Sequence, residues 1–185
     1  MRGNPSRTAI LLSLLFAAAS SLRAQEAPRV EAPDRSRERV LLVARELMLG
    51  ARFCTLVTLG DLGEPQARIV DPLEPDAAFM VYVATNPLSR KVAQIRKDPR
   101  VTLLYFDAAR SAYVTLIGRA TEVTGAEKRA HHKKDWEAFF PAGKPESYTL
   151  YRIIPSRLEV VSAKDGLSGD PATWRPEIVD LKQRP

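Results

Sequence analysis

Residues 79–91 read Phe79-Met80-Val81-Tyr82-Val83-Ala84-Thr85-Asn86-Pro87-Leu88-Ser89-Arg90-Lys91, and this stretch decides how the rest of the chain is read. The apolar run from Phe79 to Ala84 has strand character and stops at the turn residues Asn86 and Pro87. A basic helical pattern, Lys91 to Lys97, follows at once. A strand that turns into a helix start leaves backbone N–H groups unpaired, and Thr85, Ser89, Arg90 and Lys91 gather around them. That is chemistry for holding a phosphate.

Upstream, Val40, Leu41, Val43, Ala44, Leu47 and Met48 recur at helical spacing after Ser36, and Gly50 offers a stop. Residues 53–59, 66–70 and 78–84 have strand character, the first two joined by the hairpin-like run Gly60-Asp61-Leu62-Gly63-Glu64-Pro65. Downstream, 88–97 fits a short helix with Val92 and Ile95 inward, ended by Asp98-Pro99. Strands are expected over 100–106 and 112–123, with Gly118 as a bulge or close-approach point. A further helix is expected over 125–140 and a final long strand over 148–162, interrupted by Pro155. About six antiparallel strands with short peripheral helices predict a mainly β (α+β) fold, a barrel.

At 185 residues, 45% hydrophobic and 27% charged, the chain suits one domain. Arg2 and Arg7 precede the apolar run Ala9 to Leu22, and small Ala24 precedes Gln25-Glu26, which together describe a signal peptide over 1–24 and predict export. An uncleaved N-terminal anchor is the competing reading; once the segment is cleaved, no stable membrane span is expected. That segment holds Arg2, Arg7 and Arg23 and no acid, so the net charge of +6 falls to 6 − 3 = +3 without it, a weak preference for anionic ligands. Residues 25–35, rich in Pro, Ala, Glu and Arg, form a linker, and 36–185 the folded domain. The single cysteine, Cys54, allows no intramolecular disulfide and sits in an apolar run, as a buried residue would.

The order and spacing of Arg68-Ile69-Val70, Ala84-Thr85-Asn86, Ser89-Arg90-Lys91 with Gln94-Ile95, Asp98-Pro99-Arg100-Val101 and Ile117-Gly118 resemble the flavin-binding split barrel of the pyridoxamine 5′-phosphate oxidase superfamily, in particular its general stress protein branch. The resemblance implies a split β-barrel homodimer with flavin mononucleotide (FMN) at the interface. It implies that Arg90, Lys91 and Ser89 hold the FMN phosphate, that Arg68, Ile69 and Val70 lie beside the ring, and that Ala84, Thr85 and, more distantly, Tyr113 line the same cofactor. Haem or a deazaflavin in the same groove is the competing ligand; the Ser89-Arg90-Lys91 cluster favours one that bears phosphate.

Each residue also has a plainer reading. Arg90 and Lys91 suit a solvated basic face, Arg68 could pair with Asp71 or Glu64, and Thr85 could cap the helix. Adjacent His131 and His132 point in different directions on a helix and lack nearby partners, so a polar face is expected and no metal site. Lys128 to Lys134 with Trp136 reads as a charged helix face over a packed aromatic, with no nucleic-acid role. Trp136, Phe139, Phe140 and Trp174 are expected in the core.

The departures from the pattern narrow the function. Pyridoxamine 5′-phosphate oxidases carry a substrate-binding Lys where this chain has Leu73, and an Arg and His pair on a C-terminal arm, whereas the tail around Trp174-Arg175-Pro176 has no His. Pyridoxamine oxidase activity is therefore not expected. What the resemblance implies is a flavin-dependent oxidoreductase acting on a small molecule, with no catalytic proton donor identified. The alternative is an exported binding or interaction module that keeps the fold without turnover.

Overall fold

The structure, a computed structural model, describes residues 35–140 and 144–181. The expected signal peptide, and the linker apart from Arg35, lie outside the described residues. Helix α1 (Arg37–Gly50) is capped by Ser36, whose hydroxyl accepts a hydrogen bond from the Arg39 backbone N–H at 3.3 Å. Its apolar stripe, Val40, Val43, Ala44, Leu47 and Met48, is buried in the main core, as the spacing predicts.

The strands are β1 (Cys54–Leu59), β2 (Pro65–Val70), β3 (Val81–Thr85), β4 (Arg100–Asp107), β5 (Ala112–Val123), β6 (Thr149–Val161) and β7 (Glu177–Asp180), and α2 (Arg90–Lys97) lies between β3 and β4. Every pairing is antiparallel, in the order β2-β1-β4-β5-β6-β3, with β7 beside the second half of β6. A bridge from Pro72 to Val83, and the Leu73 N–H donating to the Tyr82 carbonyl at 2.9 Å, bring β3 back to the end of β2 and close the barrel. Six of these strands match the sequence expectation. The seventh, β7, does not: its two apolar residues, Ile178 and Val179, stand between acidic Glu177 and Asp180 and give no strand signal of their own. It exists because the outer edge of β6 between Arg157 and Val160 is free to pair with it.

Alternation along the strands separates the two faces. Cys54, Leu56, Leu103, Val114, Leu116 and Leu158 point inward and are buried, each contributing about 1.5–3 kcal/mol where a large aliphatic side chain leaves water. Ile69 and Phe106 point outward and remain 67% and 61% exposed. Burial pushes the Cys54 thiol up to about 12, with smaller influences from the Tyr105 hydroxyl, which lowers it, and Asp71, which raises it. Cys54 is therefore expected to resist a thiol-specific reagent at mildly alkaline pH in the folded protein and to react fully in denaturant; fast reaction of the native protein would contradict this burial.

Three expectations are corrected. The helix expected over 125–140 breaks into α3 (Gly125–Ala130) and a separate 3-10 turn, Lys134–Ala138. The reason is anchoring: the His131 ring takes the Glu127 carbonyl at 2.9 Å, Lys133 pairs with Asp71 at 2.5 Å, and the Trp136 indole donates to the Asp71 carbonyl at 3.1 Å. The first is a local bond that closes α3, and the two tertiary bonds to Asp71 outweigh helical continuation. Pro155 does not interrupt the final strand, because a register shift at Ile117/Gly118 places it where no ladder donor is needed. Trp136 and Phe140 do pack inward, but Phe139 and Trp174 are 78% and 85% exposed.

Candidate functional site

The β3–α2 turn is built as its residues dictate. Asn86 folds its side chain back to accept the Leu88 N–H at 2.8 Å, and the Ser89 N–H donates to the Asn86 carbonyl at 3.0 Å. Ser89 is the residue preceding α2, yet its hydroxyl makes no capping bond. It lies instead 3.2 Å from Thr85 Oγ1, and Lys91 Nζ donates to both hydroxyls, at 2.8 Å to Thr85 and 3.3 Å to Ser89. Thr85, at the end of β3, thus serves the lysine and not the helix cap.

Arg68 comes to the same place from β2. Its side chain shares the inward face with Val70 and Gln66, under α2. Nη1 donates to Thr58 Oγ1 at 2.5 Å and Nη2 to Gln94 Oε1 at 3.0 Å; Thr58 Oγ1 in turn donates to Gln94 Oε1 at 2.6 Å. Arg68 makes neither of the ion pairs open to it from sequence, with Asp71 or with Glu64; Asp71 binds Lys133.

The electrostatics are one-sided. Arg68 is pushed below the usual guanidinium range by burial first and then by Arg90, and Lys91 below the usual ammonium range by burial and then by Arg68. Among the described residues, Arg68, Arg90 and Lys91 form no salt bridge with a carboxylate. The first turn of α2 holds no acidic residue, so two cations sit at the positive end of a helix dipole. Three like charges and a helix N-terminus, paired with no acid among the described residues, make a place where a multiply charged anion is stabilised.

The structure joins Arg68, Thr85, Ser89, Arg90 and Lys91 and spreads the other candidates. Val70 is in the core, Ile69 projects outward, and Ala84 packs against the smaller cluster of Tyr82, Val123, Trp136, Tyr148 and Leu150. Tyr113 lies on the outward face of β5, three strands from β2. The histidines form no polar face: His131 stacks on Tyr82 with ring centroids 3.8 Å apart, and His132 lies beside Trp136 and Tyr148. Thr58 and Gln66 carry no signal of a site in sequence; Gln94 stands in the stretch that carries the resemblance, beside Ile95 on the inward arc of a short helix, but no role at the site follows for it from sequence.

An antiparallel barrel with short flanking helices and a cationic cluster at the turn after its third strand belongs to the split-barrel class. More narrowly, the chain belongs to the pyridoxamine 5′-phosphate oxidase family, whose sequence model matches residues 43–162. No curated protein sequence matches it. Among solved structures, a protein related to general stress protein 26 of B. subtilis, from Clostridium acetobutylicum, superposes with a TM-score of 0.63 at 21% identity, over 69% of this chain and 91% of that one. A pyridoxamine 5′-phosphate oxidase-related, FMN binding protein from Nostoc punctiforme gives 0.51 at 16% identity, over 70% and 82%. A heme binding protein from Mycobacterium smegmatis gives 0.53 at 22% identity, over 64% and 52%. At these identities the likeness is one of fold.

Proposed function

We propose that the protein binds FMN and uses it in oxidation or reduction of a small molecule. The observation that carries this reading is the cluster of Arg68, Arg90 and Lys91, with Lys91 bonded to the Thr85 and Ser89 hydroxyls and Arg68 to Thr58 and Gln94, and with no carboxylate partner among the described residues. Arg90 and Lys91 would meet the phosphate from the first turn of α2, with Arg68 behind them and the two hydroxyls as neutral partners. Ile69, Val70 and Ala84 would border the ring through the backbone of β2 and β3. Bound flavin supplies hydride chemistry; the protein positions it and sets its surroundings. Flavin is favoured over haem because the cationic cluster suits a phosphate and the two histidines are engaged with Tyr82, Trp136, Tyr148 and the Glu127 carbonyl.

The same proposal includes a second copy of the chain. Tyr113 cannot join the cluster within one chain, and Ile69, Leu104 and Phe106 leave the outer sheet face apolar and exposed. A homodimer through that face would cover these residues and bring Tyr113 to the partner's site. Export rests on residues 1–24, and flavin would then be acquired after the chain folds. The pyridoxamine reaction is not proposed: Leu73 is packed against the Tyr82–Trp136 cluster, where a lysine would have to reach a substrate.

Titrating the purified protein with FMN should quench flavin fluorescence at micromolar concentration, with a dimer mass by light scattering that Phe106→Glu reduces to a monomer. Absence of binding would leave the non-catalytic module as the reading. If flavin binds, anaerobic reduction by a nicotinamide cofactor and reoxidation by candidate acceptors separate an enzyme from a carrier.

A further inference from the structure

We infer that Gln94 is a positioning residue for the cationic cluster: its buried, neutral amide fixes Arg68 while leaving the charge of Arg68 available to an anion. The inference rests on the phosphate reading above and concerns how that site keeps its charge.

A half-buried arginine is ordinarily held by a carboxylate, which satisfies its N–H groups and cancels its charge together. Here Gln94, only 8% exposed, does the first without the second. Its Oε1 accepts from Arg68 Nη2 at 3.0 Å and from Thr58 Oγ1 at 2.6 Å, and Thr58 Oγ1 accepts from Arg68 Nη1 at 2.5 Å. The amide has one workable orientation, because its Nε2 donates to Gln66 Oε1 at 2.8 Å. Gln66 is oriented in the same way, its Nε2 donating to Glu64 Oε1 at 2.7 Å. Glu64 lies in the β1–β2 turn and also accepts the Leu62 N–H at 3.0 Å.

The result is a relay, Glu64, Gln66, Gln94, Arg68, in which both amides turn their negative ends toward the guanidinium. The carboxylate that terminates it is exposed and two side chains away, so its charge reaches the site only after solvent screening. Arg68 is rigidly placed, and its charge still adds to those of Arg90 and Lys91. A glutamate at position 94 keeps the acceptors for Arg68 and Thr58 and gives up only the donor to Gln66, but it would neutralise the guanidinium.

Gln94→Glu therefore separates charge from scaffolding. It is expected to keep Arg68 in place at a small cost in thermal stability, from the lost bond to Gln66 Oε1, and to weaken binding of both FMN and inorganic phosphate by roughly ten- to a hundredfold, the value of a charge-assisted contact. Binding of riboflavin, which has no phosphate, should not change. Thr58→Val should weaken FMN binding by about tenfold through a looser Arg68. Side-chain NMR of Arg68 provides a readout without ligand: slow rotation of its guanidinium in the wild type, faster in Thr58→Val and Gln94→Leu. Unchanged FMN and phosphate affinity in Gln94→Glu overturns the inference, as does an Arg68 signal indifferent to Thr58→Val. If the wild type binds neither FMN nor phosphate, the functional proposal fails, and the NMR comparison still decides whether Gln94 and Thr58 position Arg68.

Discussion

Replacing Arg90 and Lys91 together by alanine is expected to weaken FMN binding by about 3–6 kcal/mol, since each charge-assisted bond to a phosphate contributes about 1.5–3 kcal/mol. That is roughly a hundred- to ten-thousandfold rise in Kd. The fold should not suffer. Neither side chain belongs to a core cluster, and removing two cations from the positive end of α2 relieves an unfavourable interaction of about 0.3–1 kcal/mol each. Affinity and stability should thus move in opposite directions, which distinguishes loss of a binding group from general damage.

The pH dependence has a definite sign. Lys91 is held below the usual ammonium range by burial and by Arg68, and a bound phosphate would raise it again. Affinity should therefore be complete at pH values below the lowered Lys91 value and decline as pH rises through it, with proton uptake on binding in that window. Calorimetry in buffers of different ionisation enthalpy measures the uptake, and the double variant should lose it. Equal affinity of wild type and double variant would remove the phosphate from this turn.

Gly118→Val is expected to be the most damaging single change to the fold, costing more than about 3 kcal/mol. A Cβ at Gly118 would stand 2.3 Å from the Ile154 carbonyl oxygen, 3.0 Å from its carbon and 3.1 Å from Pro155 Cα. All three are backbone atoms of the paired strand, so no side chain can swing aside. The register shift at Ile117/Gly118 is the means by which β5 passes the proline, and a side chain there forces β5 and β6 apart at their longest pairing. Urea unfolding should show the lost stability. Gly50→Ala, at the end of α1 with nothing within 4 Å, is the control and should be neutral or slightly stabilising. A Gly118→Val protein as stable as wild type would mean that the two strands are farther apart than described.

What could be read in the sequence follows from how local its cause is. The strands β1 to β6 and helices α1 and α2 were legible because alternation, helical spacing and turn residues are properties of neighbours in the chain. Gly118 was legible because glycine in a strand marks a close approach. The fate of 125–140 was not: Lys133 and Trp136 leave the helix for Asp71, more than sixty residues away. The site divides in the same manner. Thr85, Ser89, Arg90 and Lys91 are consecutive enough to announce themselves, whereas Thr58, Gln66 and Gln94 meet Arg68 only once β1, β2 and α2 are assembled. Trp174 departs from the rule that a large aromatic residue packs inside. In the fold a tight loop holds it out, at φ 57°, with its N–H bonded to the Asp170 carbonyl at 2.7 Å.

Strand β6 pairs with β5 along one edge and with β3 and then β7 along the other, yet it begins only at Thr149. Most of the barrel is therefore synthesised before the strand that completes it. Until Thr149 to Val161 arrives, β3 and β5 each present an open row of N–H and C=O groups, the kind of edge that recruits strands from other chains. Closure between β3 and β6 also spans a long loop, which slows folding. A chain truncated ahead of Thr149 should accordingly aggregate and not form a smaller barrel, and a holdase that shields those two edges should do most to raise the yield of the complete protein.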